Sequence, residues 1–413
     1  MADQKIVIIG GGVAGLVAAI HCEQAGCSPT LIEATDRVGG RIKTDQKEGY
    51  LLDHGFQVLL SEYEEAKRYL NFEQLKVQTF EPGAIIYDEK GAYRISDPLR
   101  QPSQLFQVAF SRLGTLQDKW LMFRLTQSLK GKKRQDLFQS PQQSTLTFLQ
   151  EYGFSKRIIN QFFKPFFGGI FLENQLSTSA AMFQFVFKLF SEGDALLPQG
   201  GIEAIPQQLK AQLTKTEFLF SKKVRRVKDN QVQLNDESTL DFDKLIIATD
   251  PSPILENLSG PDIPFVATTC LYYTCTASPI QTKHIGLVSN PDSPINNFCV
   301  LNKVSSSYAP DGSYLVSVTL KDSVVLSDEE ALIGQVAKEI QEVTSTPSPL
   351  NYLARYDIKK ALPIIDELQY ELPNTQFTLT DDIYLAGDYL LNASLDAAMR
   401  SGRLAAQAML DSL

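Results

Sequence analysis

The chain contains 413 residues, of which 43% are hydrophobic and 21% are charged, a composition typical of an ordinary globular protein. It excludes a disordered chain, a collagen-like fibre and a small disulfide-stapled domain. Because 39 basic and 48 acidic side chains give a net charge of −9, the chain would repel a phosphate backbone, and nucleic acid is not expected as a partner. At about 150 residues per domain, the length predicts two or three domain-sized units.

The cysteines and histidines are scattered, without the spacing of a zinc or redox site. We therefore predict no metal centre, and we expect the thiols to be buried in a reducing compartment. These residues are Cys22, Cys27, Cys270, Cys275, Cys299, His21, His54 and His284.

The apolar run at residues 6–20 has the length of a secretory signal, but it follows no cationic segment and contains four glycines. No other stretch reaches the roughly 18 uninterrupted apolar residues of a membrane span. The sequence thus predicts a cytoplasmic protein with at most a peripheral membrane contact. Such a contact would use the densest basic run, residues 130–134 (KGKKR), although runs of this kind are usually solvated loops.

The first forty residues predict a dinucleotide-binding βαβ unit. A β-branched run at residues 5–9 (KIVII) precedes the glycine turn GGGVAG at 10–15 and a helical segment that extends to Gln24. A second short strand, residues 29–34, carries Glu33. This order of strand, glycine turn, helix, strand and acid is the context that the G-x-G-x-x-G fingerprint requires.

Each position of the fingerprint has a physical reason. Gly10 permits the tight turn, Gly12 lets the backbone approach a pyrophosphate, and Gly15 lets the helix and strand pack closely. The turn around Ala14 opens the helix, whose N-terminus offers free N–H groups to the phosphates. Glu33 would accept hydrogen bonds from ribose hydroxyls and disfavour the 2′-phosphate of NADP, so FAD and NAD both remain at this point.

The segment DRVGGR at residues 36–41 follows the second strand directly. It supplies Arg37, Gly39, Gly40 and Arg41 where guanidinium groups can neutralise phosphates. With this segment the chain resembles the flavin superfamily that contains monoamine and polyamine oxidases, protoporphyrinogen oxidases and carotenoid (phytoene-type) desaturases. The resemblance implies FAD as the cofactor, because in that superfamily the segment contacts FAD.

Later segments are similar to the same superfamily. Residues 53–55 (DHG) resemble its D-x-G strand near the flavin, and residues 198–201 (PQGG) resemble its P-x-G-G turn. The β-rich stretch 222–232 resembles the strand that meets the adenine, which implies Val224 as the adenine contact. Residues 245–249 (LIIAT) resemble the strand that closes the cofactor domain.

The C-terminal segment AGD at residues 386–388 and the helix after it are the most specific part of the resemblance. They imply that Gly387, Asp388 and Ser394 lie at the cofactor, with the acid on the ribityl chain or pyrophosphate. The N-terminus of the helix would then face the flavin ring, where its dipole stabilises negative charge on reduced flavin.

The chain departs from the family pattern at two positions. Ala397 stands where the family helix usually has a glycine, and Ser394 stands where amine oxidases commonly carry a cage tyrosine. Because no cysteine occurs in residues 300–413, we expect FAD to be bound noncovalently.

The cofactor segments lie at both ends and in the middle of the chain, so we predict an α/β fold with two interleaved domains. A Rossmann-type FAD-binding domain would alternate with an α+β substrate domain, built as a mixed sheet with a helical cap, since the first insert has helical signals such as residues 102–113. The FAD-binding domain would comprise residues 1–90, 191–260 and 375–413, and the substrate domain residues 91–190 and 261–374.

The first insert is unusually rich in phenylalanine between residues 162 and 190. These side chains would pack in a helical core or line a pocket for a long or flat apolar substrate. The string PFFGGIFL at residues 165–172 resembles carotenoid and squalene-pathway desaturases more than amine oxidases.

Lys360 is the one candidate for a catalytic residue. It belongs to residues 359–363 (KKALP), which resemble the family's A-L-P segment, and it could support flavin reduction or reaction with oxygen. A double lysine before a strand is also commonly solvated.

Together these features predict an FAD-dependent oxidoreductase that dehydrogenates a hydrophobic small molecule by hydride transfer to the flavin, with oxygen or a quinone as electron acceptor. The phenylalanine-rich insert and the missing tyrosine favour C–C desaturation. Amine oxidation at a C–N bond, porphyrinogen-type oxidation and a non-catalytic flavin-binding protein stay open, as does the oligomeric state.

Overall fold

A computed structural model of the chain describes residues 4–88, 91–95, 114–139, 143–255, 263–321 and 329–413. The predicted helix at residues 102–113 lies outside the described residues. The fold consists of two large sheets, each with helices packed on it, and a cavity between them.

The first large sheet is built around the β-branched run at the N-terminus. Strand Ile6–Ile9 is buried along its whole length and pairs in parallel with Thr30–Ile32 and with Lys244–Ile247, as the sequence pattern predicts. Five of its strands are parallel, and Thr378–Thr380 adds an antiparallel edge. The strand order is Glu217–Leu219, Thr30–Ile32, Ile6–Ile9, Lys244–Ile247, Ile383–Leu385 and Thr378–Thr380.

The two faces of this sheet are covered differently. On one face lie the first helix, Val13–Gln24, and the final helix, Leu395–Leu410, which contact each other closely. A Cβ atom on Gly402 would lie 2.1 Å from the carbonyl oxygen of Ala14, so only glycine permits this approach. A small antiparallel sheet packs on the other face; its strands are Val224–Lys228, Gln231–Leu234 and Thr239–Asp241.

The second large sheet has seven strands and is mixed. Adjacent strands within this sheet are antiparallel, except that Ala84–Asp88 pairs in parallel with Ile285–Val288. The strand order is Asn351–Pro363, Phe265–Cys275, Tyr314–Leu320, Ile295–Val300, Ile285–Val288, Ala84–Asp88 and Gly91–Ile95.

Helix Glu329–Thr344 covers one face of the seven-stranded sheet through Leu332, Val336 and Ile340. The apolar periodicity of this segment predicts one buried stripe, but its first position, Ala331, is exposed and Leu332 is buried instead. The predicted stripe consists of Ala331, Ile333, Val336, Ile340 and Val343. Val336 and Ile340 are buried as this stripe predicts, and Ile333 and Val343 pack against the same core from partly buried positions, so the difference is confined to the first turn, where the larger leucine side chain fills the core.

Helices cover the other face of this sheet and form the predicted cap. They are Leu116–Lys130, Arg134–Leu137, Thr145–Tyr152, Lys156–Ile158, the π-helical turn Ile159–Phe163, Lys164–Phe171 and Ala180–Glu192. The cap approaches the sheet closely at Gly169, where a Cβ atom would lie 2.4 Å from Oδ1 of Asn296.

Smaller elements connect the two halves. The remaining strands are Thr44–Lys47, Tyr50–Asp53, Leu59–Leu60, Gln78–Thr79 and Ala195–Leu197. The remaining helices are Glu64–Tyr69, Ala204–Lys210, Leu301–Val304 and the 3₁₀ turns Ser306–Tyr308, Asn374–Phe377 and Asp388–Leu390. The predicted α/β class with a second mixed sheet and a helical cap is confirmed, whereas the residue boundaries of the two domains stay a prediction.

Candidate functional site

A cavity of about 1690 Å³ lies between the parallel sheet, the mixed sheet and the helical cap. Cavities that hold one drug-sized ligand measure about 300–1,000 Å³, so this one has room for a dinucleotide and a second molecule. Most of the predicted cofactor residues line it although they lie far apart in sequence: Gly10, Gly12, Ala14, Glu33, Gly39, Gly40, Arg41, Val224, Gly387, Asp388 and Ser394.

Two predicted cofactor residues are not among those that line the cavity. A Cβ atom on Gly15 would lie 2.0 Å from the carbonyl oxygen of Gly10, so Gly15 serves the contact between the first helix and its strand. The Arg37 guanidinium pairs with Asp45 at 2.5 Å and with Glu203 at 3.1 Å.

The glycine turn leaves an open cradle at the N-terminus of the first helix. A Cβ atom on Gly12 would meet no heavy atom nearer than Cα of Gly40, 4.0 Å away. The helix has no side-chain cap at Gly12, so its first N–H groups are available to a ligand. Available N–H groups at a helix N-terminus favour an anion such as a pyrophosphate.

Glu33 ties the second strand to the glycine turn. The side chain is buried, and Oε2 accepts a hydrogen bond from the backbone N–H of Gly11 at 2.7 Å. Oε1 accepts from the N–H and hydroxyl of Thr35 at 2.9 and 2.8 Å. Each carboxylate oxygen accepts more than one hydrogen bond, so Glu33 can hold the turn and still accept from a ribose hydroxyl.

Asp388 and Arg41 form an ion pair in the wall of the same cavity. The final helix begins beside them, where Ser394 Oγ accepts from the N–H of Ala397 at 3.0 Å. Ala397 is fully buried and is not among the residues that line the cavity. Ala397, which stands in place of the family's glycine, therefore lies behind the cavity wall.

Tyr389 supplies a polar atom that sequence analysis did not identify. Its hydroxyl oxygen is buried and has no hydrogen-bond partner in the described part of the chain, and burial raises the pKa of the hydroxyl. The residue lines the cavity next to Asp388. An unpaired buried hydroxyl costs about 1–3 kcal/mol, which a polar group of a bound cofactor would offset.

Phenylalanines from the cap line the other half of the cavity, and sequence reasoning identified only some of them. Phe163, Phe183 and Phe185 are core residues with at most 1% exposure. Some phenylalanines of the cluster therefore pack in the helical core and others line the cavity, so each of the two expectations holds in part. The phenylalanines at the cavity wall are Phe56, Phe80, Phe123, Phe162, Phe166, Phe167, Phe171, Phe187, Phe190 and Phe265.

A polar row on the mixed sheet lines the same cavity as these phenylalanines. Cys270, Thr319 and Asn297 lie directly opposite one another on three neighbouring strands, and all three line the cavity. Oγ1 of Thr319 and Oδ1 of Asn297 are buried and unpaired within the described ranges, as is Oγ1 of the nearby Thr268. The signal in the sequence is the pair of asparagines inside an otherwise apolar strand.

Lys360 lines the cavity, but its charge is already paired. Its Nζ lies 2.5 Å from Asp250 and 5.1 Å from the centre of the Phe265 ring, and 57% of the side chain is exposed. Asp250 follows the strand Lys244–Ile247 by three residues, so the pair bridges the two large sheets.

His54 also lines the cavity and is held by a polar network. Its Nε2 lies 2.9 Å from Asp45, and its ring lies 4.7 Å from that of Tyr356. Burial raises the pKa of Asp45, but hydrogen bonds from His54, Tyr356 and Arg37 outweigh it and lower the pKa.

Burial raises the pKa of the Cys270 thiol to about 11, although a hydrogen-bond contact with Ser317 acts in the opposite direction. A thiol that stays protonated does not attack a cofactor. Across the described ranges, no group of three or more His, Cys, Asp or Glu side chains has the arrangement of a metal site. In the same part of the chain, no helix is both long and apolar enough to cross a bilayer.

The parallel sheet, the anion cradle and the buried acid of the second strand define a dinucleotide-binding protein of the Rossmann type. The chain belongs to the flavin containing amine oxidoreductase family, whose sequence model matches residues 13–410. Members of that family contain a flavin, so the predicted FAD cofactor is confirmed.

Individual relatives differ in their reactions. The chain is 23% identical to protoporphyrinogen oxidase 2 of Arabidopsis thaliana over 169 residues, which is 41% of this chain and 33% of that protein. It is 28% identical to the 4,4'-diaponeurosporene oxygenase of Staphylococcus haemolyticus over 130 residues, 26% of each chain. These matches span a third or less of the relatives' lengths. Putrescine oxidase, solved with putrescine bound, shares the fold with a TM-score of 0.66 and 14% identity over 100% of this chain and 99% of its own.

Proposed function

We propose that the chain binds FAD noncovalently in the cavity and dehydrogenates a largely apolar small molecule, with C–C desaturation as the preferred reaction. The observation that carries this proposal is the aromatic wall: phenylalanines of the cap line the same cavity as the cofactor residues. An apolar, aromatic surface of this kind binds flat or extended hydrocarbon by burial.

The residues of the cradle fit FAD. Glu33 would bind the adenosine ribose, and the N–H groups after Gly12 would bind the pyrophosphate. Val224 would contact the adenine. Arg41 and Asp388 would hold the phosphate and ribityl part, and the hydroxyl of Tyr389 would gain a partner there. This assignment supports the proposed cofactor domain of residues 1–90, 191–260 and 375–413.

When bound, FAD would supply the oxidising ring that takes a hydride from a substrate C–H bond. The chain itself would position the substrate against that ring and exclude water through the cap. The N-terminus of the final helix at Ser394 would stabilise negative charge beside the ring. Oxygen or a quinone would then restore the oxidised cofactor.

Anaerobic reduction of the purified holoenzyme tests the reaction class. The flavin colour is followed while conjugated polyenes and their precursors, amines, or porphyrinogens are added separately. We expect polyene precursors to bleach the colour within seconds and amines to leave it unchanged. Bleaching by amines alone would overturn the desaturation proposal, and no bleaching by any class would support the non-catalytic flavin-binding alternative.

A second candidate, oxidation of an amine or a porphyrinogen, is favoured by the polar row. The acceptor Oδ1 of Asn297 and the hydroxyls of Thr319 and Thr268 are buried without partners in the described chain. A substrate N–H group would satisfy the acceptor, whereas a hydrocarbon would leave it unpaired at a cost of about 1–3 kcal/mol.

Isosteric replacement separates the two candidates. Thr319→Val and Thr268→Val remove a hydroxyl at the cavity wall, and Thr274→Val removes one farther along the same strand as Thr268, away from the cavity. If the substrate donates a hydrogen bond, KM rises about 3- to 10-fold in the first two variants only. If the substrate is a hydrocarbon, KM stays the same or falls.

A further inference from the structure

Helix Leu116–Lys130 carries an exposed apolar stripe. Leu116, Trp120 and Phe123 are 76%, 57% and 49% exposed. Their spacing places them on one face of the helix. The other exposed large apolar side chains of the described residues lie singly elsewhere, at Tyr352, Ile364 and Leu413. Single exposed apolar residues are ordinary, but a stripe marks an interaction surface.

The stripe is held in place by the rest of the helix. Leu121, Leu125 and Leu129 on the opposite side are buried in the cap core. Thr115 and Asp118 form a reciprocal capping box at the N-terminus, and Asp118 also accepts from the N–H of Ser155 at 2.8 Å. The exposed face therefore belongs to an anchored element and has a fixed orientation.

Basic side chains border the stripe. By helical spacing Lys119, Arg124 and Lys130 flank it, and the Arg124 guanidinium lies 5.6 Å from the centre of the Trp120 ring. Residues 114–139 contain six Lys and Arg against two Asp, in a chain whose net charge is −9. Arg134 does not belong to this basic border, because its side chain is only 13% exposed and pairs with Glu62 and Glu64.

The stripe continues into the cavity wall. Lys119, Met122, Phe123 and Thr126 line the cavity, so the half-exposed Phe123 belongs to both surfaces. A surface that covered the stripe would lie beside the cavity.

We propose that this docking face, made of Leu116, Trp120 and Phe123 with Lys119, Arg124 and Lys130, rests on an anionic lipid bilayer. The chemistry of the face selects this occupant. A tryptophan and two apolar side chains enter the headgroup boundary, while long basic side chains reach anionic phosphates around them. Docking goes beyond the proposed reaction and does not rest on it, although it would let an apolar substrate pass from lipid into the cavity.

Trp120 is the single tryptophan of the chain, so its fluorescence reports on this face alone. The holoenzyme is mixed at low salt with vesicles of phosphatidylcholine containing phosphatidylglycerol, and with vesicles whose lipid chains are brominated. We expect a blue shift, quenching by the brominated lipid and cosedimentation. Pure phosphatidylcholine, or about 0.5 M salt, should weaken binding at least tenfold because charge attraction is screened.

Leu116→Glu and Arg124→Glu test the face from its apolar and basic sides. Each should weaken binding to the anionic vesicles at least tenfold at unchanged FAD content, while Leu413→Glu, at another exposed apolar site, should not. Wild-type protein that stays in the supernatant with unshifted, unquenched Trp120 emission would overturn the proposal. So would sedimentation velocity showing a dimer that Leu116→Glu dissociates without any vesicle binding, since the face would then pair with a second copy.

Discussion

Arg41 and Asp388 form an ion pair although they lie 347 residues apart in the sequence. The Asp388 side chain is 6% exposed and that of Arg41 is 40% exposed. Burial opposes the charge on Arg41, but the Asp388 carboxylate outweighs it and raises the pKa of the guanidinium. The pair therefore joins the two ends of the chain as a charged unit in the cavity wall.

Asp388→Asn should weaken FAD binding about tenfold. The amide keeps the size of the carboxyl group but leaves the Arg41 charge without its partner, and a hydrogen bond to a charged group contributes about 1.5–3 kcal/mol. Flavin content after purification and titration of the apoprotein with FAD measure the effect. Asp366→Asn, which makes the same charge change at an exposed position of the cavity wall, is the control. Equal FAD affinity in Asp388→Asn and wild type would contradict the assignment.

Most residues that line the cavity beside the parallel sheet could be predicted from the sequence because their signals are local. The glycine turn and the acid of the second strand lie within one βαβ unit, and the buried run at its start dictates a parallel strand. The ion pair between Arg37 and Glu203 could not be predicted, because it depends on the packing of segments far apart in sequence.

The substrate half was less predictable for a similar reason. Asn297 and Thr319 become neighbours only through the register of two strands. Aromatic content alone could not distinguish Phe166 at the cavity wall from Phe163 in the core, since both positions favour large apolar side chains.

Gly402→Ala should destabilise the protein, whereas Gly334→Ala should stabilise it. A Cβ atom on Gly402 would meet the Ala14 carbonyl oxygen at 2.1 Å, while one on Gly334 would meet nothing within 4 Å. Overpacking costs about 1–3 kcal/mol, and replacing an exposed helical glycine by alanine contributes up to about 1 kcal/mol. Thermal unfolding with FAD content measures both. An unchanged melting temperature in Gly402→Ala would show that the two helices can separate without loss.

Lys360→Met should slow reduction of the bound flavin by less than about fivefold. The ammonium is paired with Asp250 and more than half exposed, and exposed ion pairs contribute about 0–1 kcal/mol. Anaerobic stopped-flow reduction measures the rate, and Lys359→Met, the exposed neighbour, is the matched control. A fall of more than tenfold in Lys360→Met alone, at unchanged FAD content, would establish the catalytic role for Lys360.

Protonation of the buried Asp53 carboxyl group should make the protein more stable in mild acid than at neutral pH. The carboxyl group is 2% exposed, and burial raises its pKa to about 6 although three groups donate hydrogen bonds to it. These donors are the Thr44 hydroxyl at 2.6 Å, the Tyr308 hydroxyl at 2.8 Å and the Ile202 N–H at 3.0 Å. The pKa of Asp53 is higher in the folded protein than in the unfolded chain. The stabilisation is therefore complete below about pH 4 and is lost as the pH rises through about 6.

Asp53→Asn removes this titration while preserving the shape of the side chain. A shift of about two pKa units corresponds to about 3 kcal/mol, so the free energy of unfolding of wild type, relative to Asp53→Asn, should rise by up to that amount between about pH 7 and pH 4. Urea unfolding at a series of pH values measures the difference, with the exposed Asp366→Asn as control. A difference between wild type and Asp53→Asn that stays constant, or that falls as the solution is acidified, would mean that the three donors hold Asp53 ionised despite its burial.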